Sequence, residues 1–376
     1  MRRSVPVCVV LLALGWGCAE NAGTSGGLKS VPRVGGKWEP APTISEKFSI
    51  EPLGSVANSG LLLPSISPDG KWVAYLQLNG DQPVDPQSLF SGRRLEDVGL
   101  VIRPTQLGGQ KIVVWKSGVS WPTWSADGLR LLFVSSDAKG NSAIGIYDLA
   151  SGTSRHTGVG LQRMIMPALS PSGQQLAVVD GAGLPGAARL YTVNLQTGST
   201  EPGPPVQPGQ RQLWPHWLDE HTLTYVGWHS KSTTLYRWSA GSPAQPMGPI
   251  NGVGSTDDVL LLLASVSGPL SPDGRQVAFY DIAADQIVLM NLAGSRQRRL
   301  TANTRAGCWF GPDRFAAASD KDLLLFAESV EEPFRALRGA WLPIWGNPAT
   351  NEIILCTRGA DDTIFELVRL RLVPKK

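Results

Sequence analysis

The sequence predicts an all-β protein: a β-propeller of four-stranded antiparallel blades, with seven blades the first reading and six the alternative. Three observations predict it. A turn built from Ser, Pro, Asp and Gly recurs seven times, each copy set between short apolar runs. A second Gly-containing turn follows most copies. The chain of 376 residues holds 42 Gly, 29 Pro and 13 Trp, a composition that suits short strands, tight turns and large aromatics packed between sheets.

The N-terminus comes first. Met1-Arg2-Arg3 is a basic start, Val5 to Leu14 is apolar, and Gly15-Trp16-Gly17-Cys18 follows. The apolar run is too short to cross a bilayer as a helix, which takes ~20 residues. Residues 1–17 therefore read as an export signal. A cysteine where the apolar run ends resembles the lipobox of bacterial lipoproteins. That resemblance implies lipidation of Cys18 as the first mature residue; an ordinary secretory signal is the alternative. Ala19 next to it resembles outer-membrane sorting. Residues 18–45 are rich in Gly, Pro, Ser, Thr and Lys without an apolar period, and read as a flexible tether. Gly23-Thr24-Ser25-Gly26-Gly27 matches the hydrolase pattern G-x-S-x-G. That pattern has meaning only at a strand-to-helix elbow, so in a tether it is chance.

Residues 46–376 then read as a single domain of repeats. Pro64-Ser65-Ile66-Ser67-Pro68-Asp69-Gly70 runs into Trp72-Val73-Ala74-Tyr75, and Pro122-Thr123-Trp124-Ser125-Ala126-Asp127-Gly128 runs into Leu131-Leu132-Phe133. Further copies centre on Ser170, Leu218 and Ser271, with degraded ones at Gly311 and Gly346. Pro fixes φ, Asp caps the turn and Gly supplies positive φ, so each copy is a β-hairpin. Downstream, Ile146-Tyr147-Asp148-Leu149-Ala150-Ser151-Gly152 and Leu190-Tyr191-Thr192-Val193-Asn194-Leu195 are third strands entering a Gly turn. The copies recur at intervals of 35 to 58 residues, bracketing the ~40–50 residues of a blade. Glu46 to Pro52 is expected to add the outer strand of the last blade, and Gly80 to Glu96 to form a protruding loop.

S-P-D-G-[KR] before a strand, then Y-x-x-[ND]-L-x-x-G, resembles the WD40-like repeats of the TolB family, over residues 55 to 373. The propellers of prolyl-oligopeptidase-family peptidases are similar. The resemblance implies the fold and leaves function open, since propellers host many functions. The hydrolase domain of the peptidases and the α/β domain of TolB are both expected to be missing, so neither chemistry carries over.

Candidate site residues are few. Trp124, Trp217 and Trp345 hold one motif position and are expected to pack between blades. Trp121, Trp214 and Trp341 lie nearer their strand starts and are the candidates for a binding surface. His156, His216, His221 and His229 do not show a metal-ligand spacing; His221 replaces a turn Gly and is expected at an unusual backbone angle. Asp257, Asp258, Asp281 and Asp285 read as turn carboxylates, and Arg296, Arg298 and Arg299 as a solvated face. Cys308 and Cys356 are either a disulfide or two buried thiols. No cofactor is read. The net charge of +3 falls to +1 without Arg2 and Arg3, which gives no basic footprint for nucleic acid. The expectation is a non-enzymatic envelope lipoprotein, at the periplasmic side of the outer membrane or the cell surface. It is held to the membrane by its lipid, and its propeller binds an envelope protein or peptide. An enzyme acting on carbohydrate or peptide at the channel mouth is the alternative.

Overall fold

The computed structural model describes residues 48–372, apart from 81–83, 85–87, 92–94, 140, 159–160, 162, 182–187, 230–231, 256–257, 259–261, 263–264, 294–296, 302, 328–332, 340 and 360–362. The signal, Cys18, the tether, Asp257 and Arg296 lie outside the described residues.

The first strand, β1 (Phe48–Ala57), belongs to the last blade. Blade 1 holds β2 (Ser65–Ile66), β3 (Trp72–Leu78), β4 (Val98–Pro104) and β5 (Ile112–Trp115). Blade 2 holds β6 (Val119–Trp124), β7 (Arg130–Ser136), β8 (Ser142–Asp148) and β9 (Thr153–His156). Blade 3 holds β10 (Met164–Leu169), β11 (Gln175–Asp180), β12 (Arg189–Asn194) and β13 (Thr200–Pro202). Blade 4 holds β14 (Arg211–Trp217), β15 (Thr222–His229), β16 (Ser232–Ser239) and β17 (Gln245–Pro249). After β18 (Val266–Ser267), blade 5 continues as β19 (Gln276–Asp281), β20 (Gln286–Asn291) and β21 (Gln297–Arg299). Blade 6 holds β22 (Thr304–Trp309), β23 (Arg314–Ser319), β24 (Asp322–Ala327) and β25 (Phe334–Arg338). Blade 7 is β26 (Leu342–Asn347), β27 (Glu352–Arg358), β28 (Ile364–Leu372) and, outermost, β1. There are thus seven blades, and six is excluded.

The repeated turn is a small hydrogen-bonded unit. Ser67 Oγ donates to Asp69 Oδ1 at 2.6 Å and accepts from the Trp72 amide at 3.0 Å, with Gly70 at φ 72°. Ser125 with Asp127, and Ser271 with Asp273, repeat it. Blade 3 has Ser172 where the others have Asp. There Glu220 of blade 4 supplies the carboxylate, accepting from Ser172 Oγ at 2.6 Å and Ser172 N at 2.5 Å. In blade 4 the turn is one residue shorter, Leu218 N donating to Thr222 O. His221 is therefore not among the positive-φ residues, which corrects the expectation of an unusual angle there. Asp219 Oδ1 caps the turn instead.

Tryptophans tie neighbouring blades. Trp124 Nε1 donates to Ser65 O at 3.1 Å, Trp217 Nε1 to Ala168 O at 2.9 Å and Trp309 Nε1 to Pro269 O at 2.9 Å. Each donor sits on the last residue of an inner strand; Ser65 and Ala168 lie on the inner strand of the preceding blade, and Pro269 immediately before blade 5's inner bridge at Leu270. Trp345 does not share this position. It pairs with Ile354 while Gly346 pairs with Ile353 and Asn347 with Glu352, so Gly346 is the equivalent of Trp124. A one-residue offset turns a side chain to the other face of a strand. Trp345 accordingly packs against Gly70 of blade 1.

Blade 5 departs from the four-stranded antiparallel plan. Its inner strand is reduced to one bridge, Leu270 with Val277, while β18 pairs in parallel with β22 of blade 6 through Val266–Gly307 and Ser267–Cys308. The motif here is Pro269-Leu270-Ser271, one residue shorter than Pro64-Ser65-Ile66-Ser67, and the lost residue removes a rung. The blade 1 segment expected to protrude instead folds inward where it is described: Val84, Leu89 and Leu95 are buried, and Trp121 Nε1 donates to Leu89 O at 2.8 Å. Cys308 and Cys356 are free, buried thiols, not a disulfide.

Candidate binding site at the propeller axis

Inner strands from several blades converge on an axial cavity of about 230 Å³. The same short motif recurs in its wall: Leu63-Pro64-Ser65, Trp121-Pro122-Thr123, Met166-Pro167-Ala168 and Trp214-Pro215-His216. Leu62, Val266 to Pro269 and Ile344 complete it. Proline at an inner-strand position lacks the N–H that a ladder rung needs. The strands answer with bulges: register shifts between Ser120 and Thr123, Ile165 and Ala168, and Leu213 and His216. The residue before each of those prolines takes positive φ: Trp121 at 52°, Met166 at 52° and Trp214 at 57°. Non-glycine residues rarely adopt that region, and such strain collects where a fold holds side chains for a purpose. Gly268 at φ 64° precedes Pro269 in blade 5.

The wall is mainly apolar and aromatic; Ser65, Thr123, His216 and Ser267 are its polar residues, and it has no charged side chain. Trp214 and His216 meet edge to face at 5.0 Å. The Trp214 amide, freed by the bulge, donates to Met166 Sδ at 3.3 Å. Thr123 Oγ1 donates to Pro167 O at 3.2 Å. His216 Nε2 is buried with no hydrogen-bond partner among the described residues. Burial lowers the imidazole pKa to about 4, so the ring is neutral at pH 7.

Trp121 and Trp214 therefore line the cavity, though each is 7% exposed. Neither is an exposed surface tryptophan; their bulged backbone folds the rings into the wall. Trp341 is also buried, among Phe310 and Leu337, with Nε1 donating to Arg338 O at 3.2 Å. It is not in the wall of this cavity. Met166 has no place among the sequence-based candidates, and His216 is among them only as a histidine weighed for metal binding. The signal that finds them is alignment on the proline, since Met166 takes the place of Trp121 and Trp214.

The remaining candidates have structural partners. His156 Nε2 lies 3.0 Å from Ser135 Oγ, its ring on Trp115. Asp258 Oδ2 accepts from the Gly254 and Ser255 amides. Asp281 accepts from Asn251 and lies 3.7 Å from Arg299. Asp285 accepts from Tyr280 and from Arg305, which also pairs with Asp320 at 3.3 Å. The Arg305 hydrogen bonds outweigh burial and hold the Asp285 carboxyl below its ordinary pKa. Arg298 donates to Ala327 O. Among the described residues no group of three His, Cys, Asp or Glu is placed to hold a metal.

No protein-family model matches the chain, and no curated protein matches it. Solved structures do. The propeller domain of the Trilobed protease from Pyrococcus furiosus, described as having an open velcro topology, aligns at TM-score 0.54 and 12% identity, over 86% of this chain and 98% of that one. Pyrococcus horikoshii acylaminoacyl peptidase aligns at 0.50 and 12%, over 79% and 49%. TolB from Acinetobacter baumannii aligns at 0.45 and 16%, over 80% of this chain and 64% of that one. The chain thus spans less than two thirds of the length of that TolB. At such identities a likeness reports architecture, and the architecture shared with the two Pyrococcus proteins is the β-propeller.

Proposed function

We propose that this propeller is a binding module of the bacterial envelope rather than an enzyme. Its axial cavity takes an uncharged, largely apolar segment of an envelope protein or peptide, and Cys18 anchors it to the membrane. The observation that carries the reading is the cavity wall: mainly proline, tryptophan, methionine and aliphatic side chains, with Ser65, Thr123, His216 and Ser267 as its polar ones and no charged group. A binding pocket of this kind needs few polar groups. Acid–base catalysis needs poised, complementary titratable groups, and His216 is the one titratable side chain in this wall, held neutral. The location follows from the N-terminal sequence alone.

Ser267 offers a test, because it lines the cavity and is exposed. A Ser267→Trp variant should fill the space at little cost to folding. In a pull-down from the native envelope, soluble Cys18→Ala protein should retain a partner that Cys18→Ala/Ser267→Trp loses, at equal melting temperature. Equal retention by both would remove the axial cavity from the account. The second reading, an enzyme on carbohydrate or peptide, rests on His216 beside Trp214, a pair able to stack a sugar ring and accept a proton. Turnover of envelope glycans or peptides that His216→Phe abolishes would put that reading first.

A further inference from the structure

Outer strands of a propeller leave one edge without a neighbour, and folded proteins blunt such edges with proline, glycine or charge. Six of the seven outer strands here do so. Within them, β1 has Glu51 and Pro52, β9 has Arg155, β13 has Glu201 and Pro202, β17 has Pro246 and Pro249, β21 has Arg298 and Arg299, and β25 has Arg335 and Arg338. β5 alone reads Ile112-Val113-Val114-Trp115, with none of these. Val113 is 60% exposed, the highest value among the large hydrophobics described as exposed. A bulge opposite Leu100 and Val101 turns Val114 inward, and Ser154 Oγ of blade 2 donates to its carbonyl at 3.2 Å. Val113 is left exposed along the edge, between the exposed Lys111 and Lys116, while Ile112 and Trp115 are half-buried, Trp115 against Phe133 and His156 of blade 2.

We propose that β5 is an interaction edge that accepts one added β-strand from a partner protein, apolar or aromatic at its centre and acidic at both ends. Backbone hydrogen bonds to the edge would supply affinity, and the outward Val113 side chain a contact for alternate residues of the incoming strand. The charges choose the partner. A second copy of β5 laid antiparallel on the first would set Lys111 against Lys116 at both ends, and like charges across a ladder repel. Neither lysine makes an ion pair among the described residues, so acidic ends on the incoming strand would meet two available ammonium groups. This edge is separate from the axial cavity, and the proposal stands whatever that cavity binds.

A random peptide library selected on soluble Cys18→Ala protein tests it. Enriched peptides should alternate apolar residues between acidic ends and weaken as salt rises. On binding, amide exchange should slow in 111–116. Cys18→Ala/Val113→Pro, which removes one donor, should weaken these peptides about tenfold, the worth of one or two backbone hydrogen bonds. Cys18→Ala/Val113→Thr, which keeps the donor, should bind as Cys18→Ala does. Should the proline variant fail to fold, Cys18→Ala/Val113→Lys carries the test, expected to repel the apolar centre and bind more weakly. The proposal is overturned by no enrichment, by peptides that bind all variants equally, or by a dimer in sedimentation that Val113→Lys dissociates. Cys18→Ala/Ser267→Trp should leave this binding unchanged; loss there would assign the peptides to the axial cavity.

Discussion

His216 sits where packing and ionisation oppose each other. Its ring meets Trp214 in an apolar wall and its Nε2 has no partner among the described residues. Burial lowers its pKa from 6.5 to about 4. The unfolded chain then binds a proton more readily than the folded one between these values. Stability contributed by the neutral ring is complete above pH 6.5 and falls as the pH drops towards 4. The ring is partly exposed, so we expect a loss on the order of 1–3 kcal/mol. Urea titrations at pH 7 and pH 4.5 should show it in the native chain, and His216→Leu should flatten that part of the difference. An unchanged difference in the variant would mean that other groups carry it. The sequence reading passed over His216 because it weighed histidines by metal spacing. What sets this residue apart is the bulge beside Pro215, which histidine spacing does not show and alignment on the recurring inner-strand proline does.

Strands and turns were far more legible than side-chain direction. The Ser–Asp–Gly units announced the inner hairpins because each residue type performs a local task there. Outer strands such as β13 and β21 carry little apolar signal and are held mainly by the strand before them. The misplacement of Trp345 shows the limit: with a period of two, an offset of one residue reverses a side chain, and a degraded turn does not fix the offset. Blade 5 shows another, where one missing residue shifts pairing to the next blade. The tryptophan ties make a prediction at this scale. Trp217→Phe keeps most of the buried ring but leaves Ala168 O without its donor. We expect a loss of about 1–2 kcal/mol, read as a lower denaturation midpoint with unchanged slope. Trp345→Phe has no such carbonyl bond to lose, and its cost should come from lost packing, against Gly70 and the apolar cluster around it. Equal hydrogen-bond signatures for the two would refute the division.

At the scale of the molecule, a ring of blades is only as cooperative as its closure. Here β1 pairs along its length with β28, from Phe48–Leu372 to Ala57–Ile364, so the first strand of the domain completes the last blade. Side chains reinforce the seam. Arg103 of blade 1 donates to Leu53 O at 2.9 Å, and Arg369 of blade 7 donates to Gly70 O and Thr105 Oγ1 at 3.2 Å. Arg371 pairs with Glu352 at 2.7 Å and Glu51 at 3.1 Å. Leu53 and Val56 are buried at 0% and 2% exposure, worth ~1.5–3 kcal/mol each. Removing β1 also uncovers the outer edge of β28. The combined loss is on the order of 5 kcal/mol, comparable with the whole stability of a typical domain. A chain beginning at Asn58 should therefore lose cooperativity in melting compared with the full chain. A synthetic peptide of residues 48–57 should restore it in a concentration-dependent way, since a ligand that binds only the folded ring stabilises by mass action. If the shortened chain melts as the full one does, closure by β1 is dispensable and the blade-to-blade tryptophan ties hold the ring.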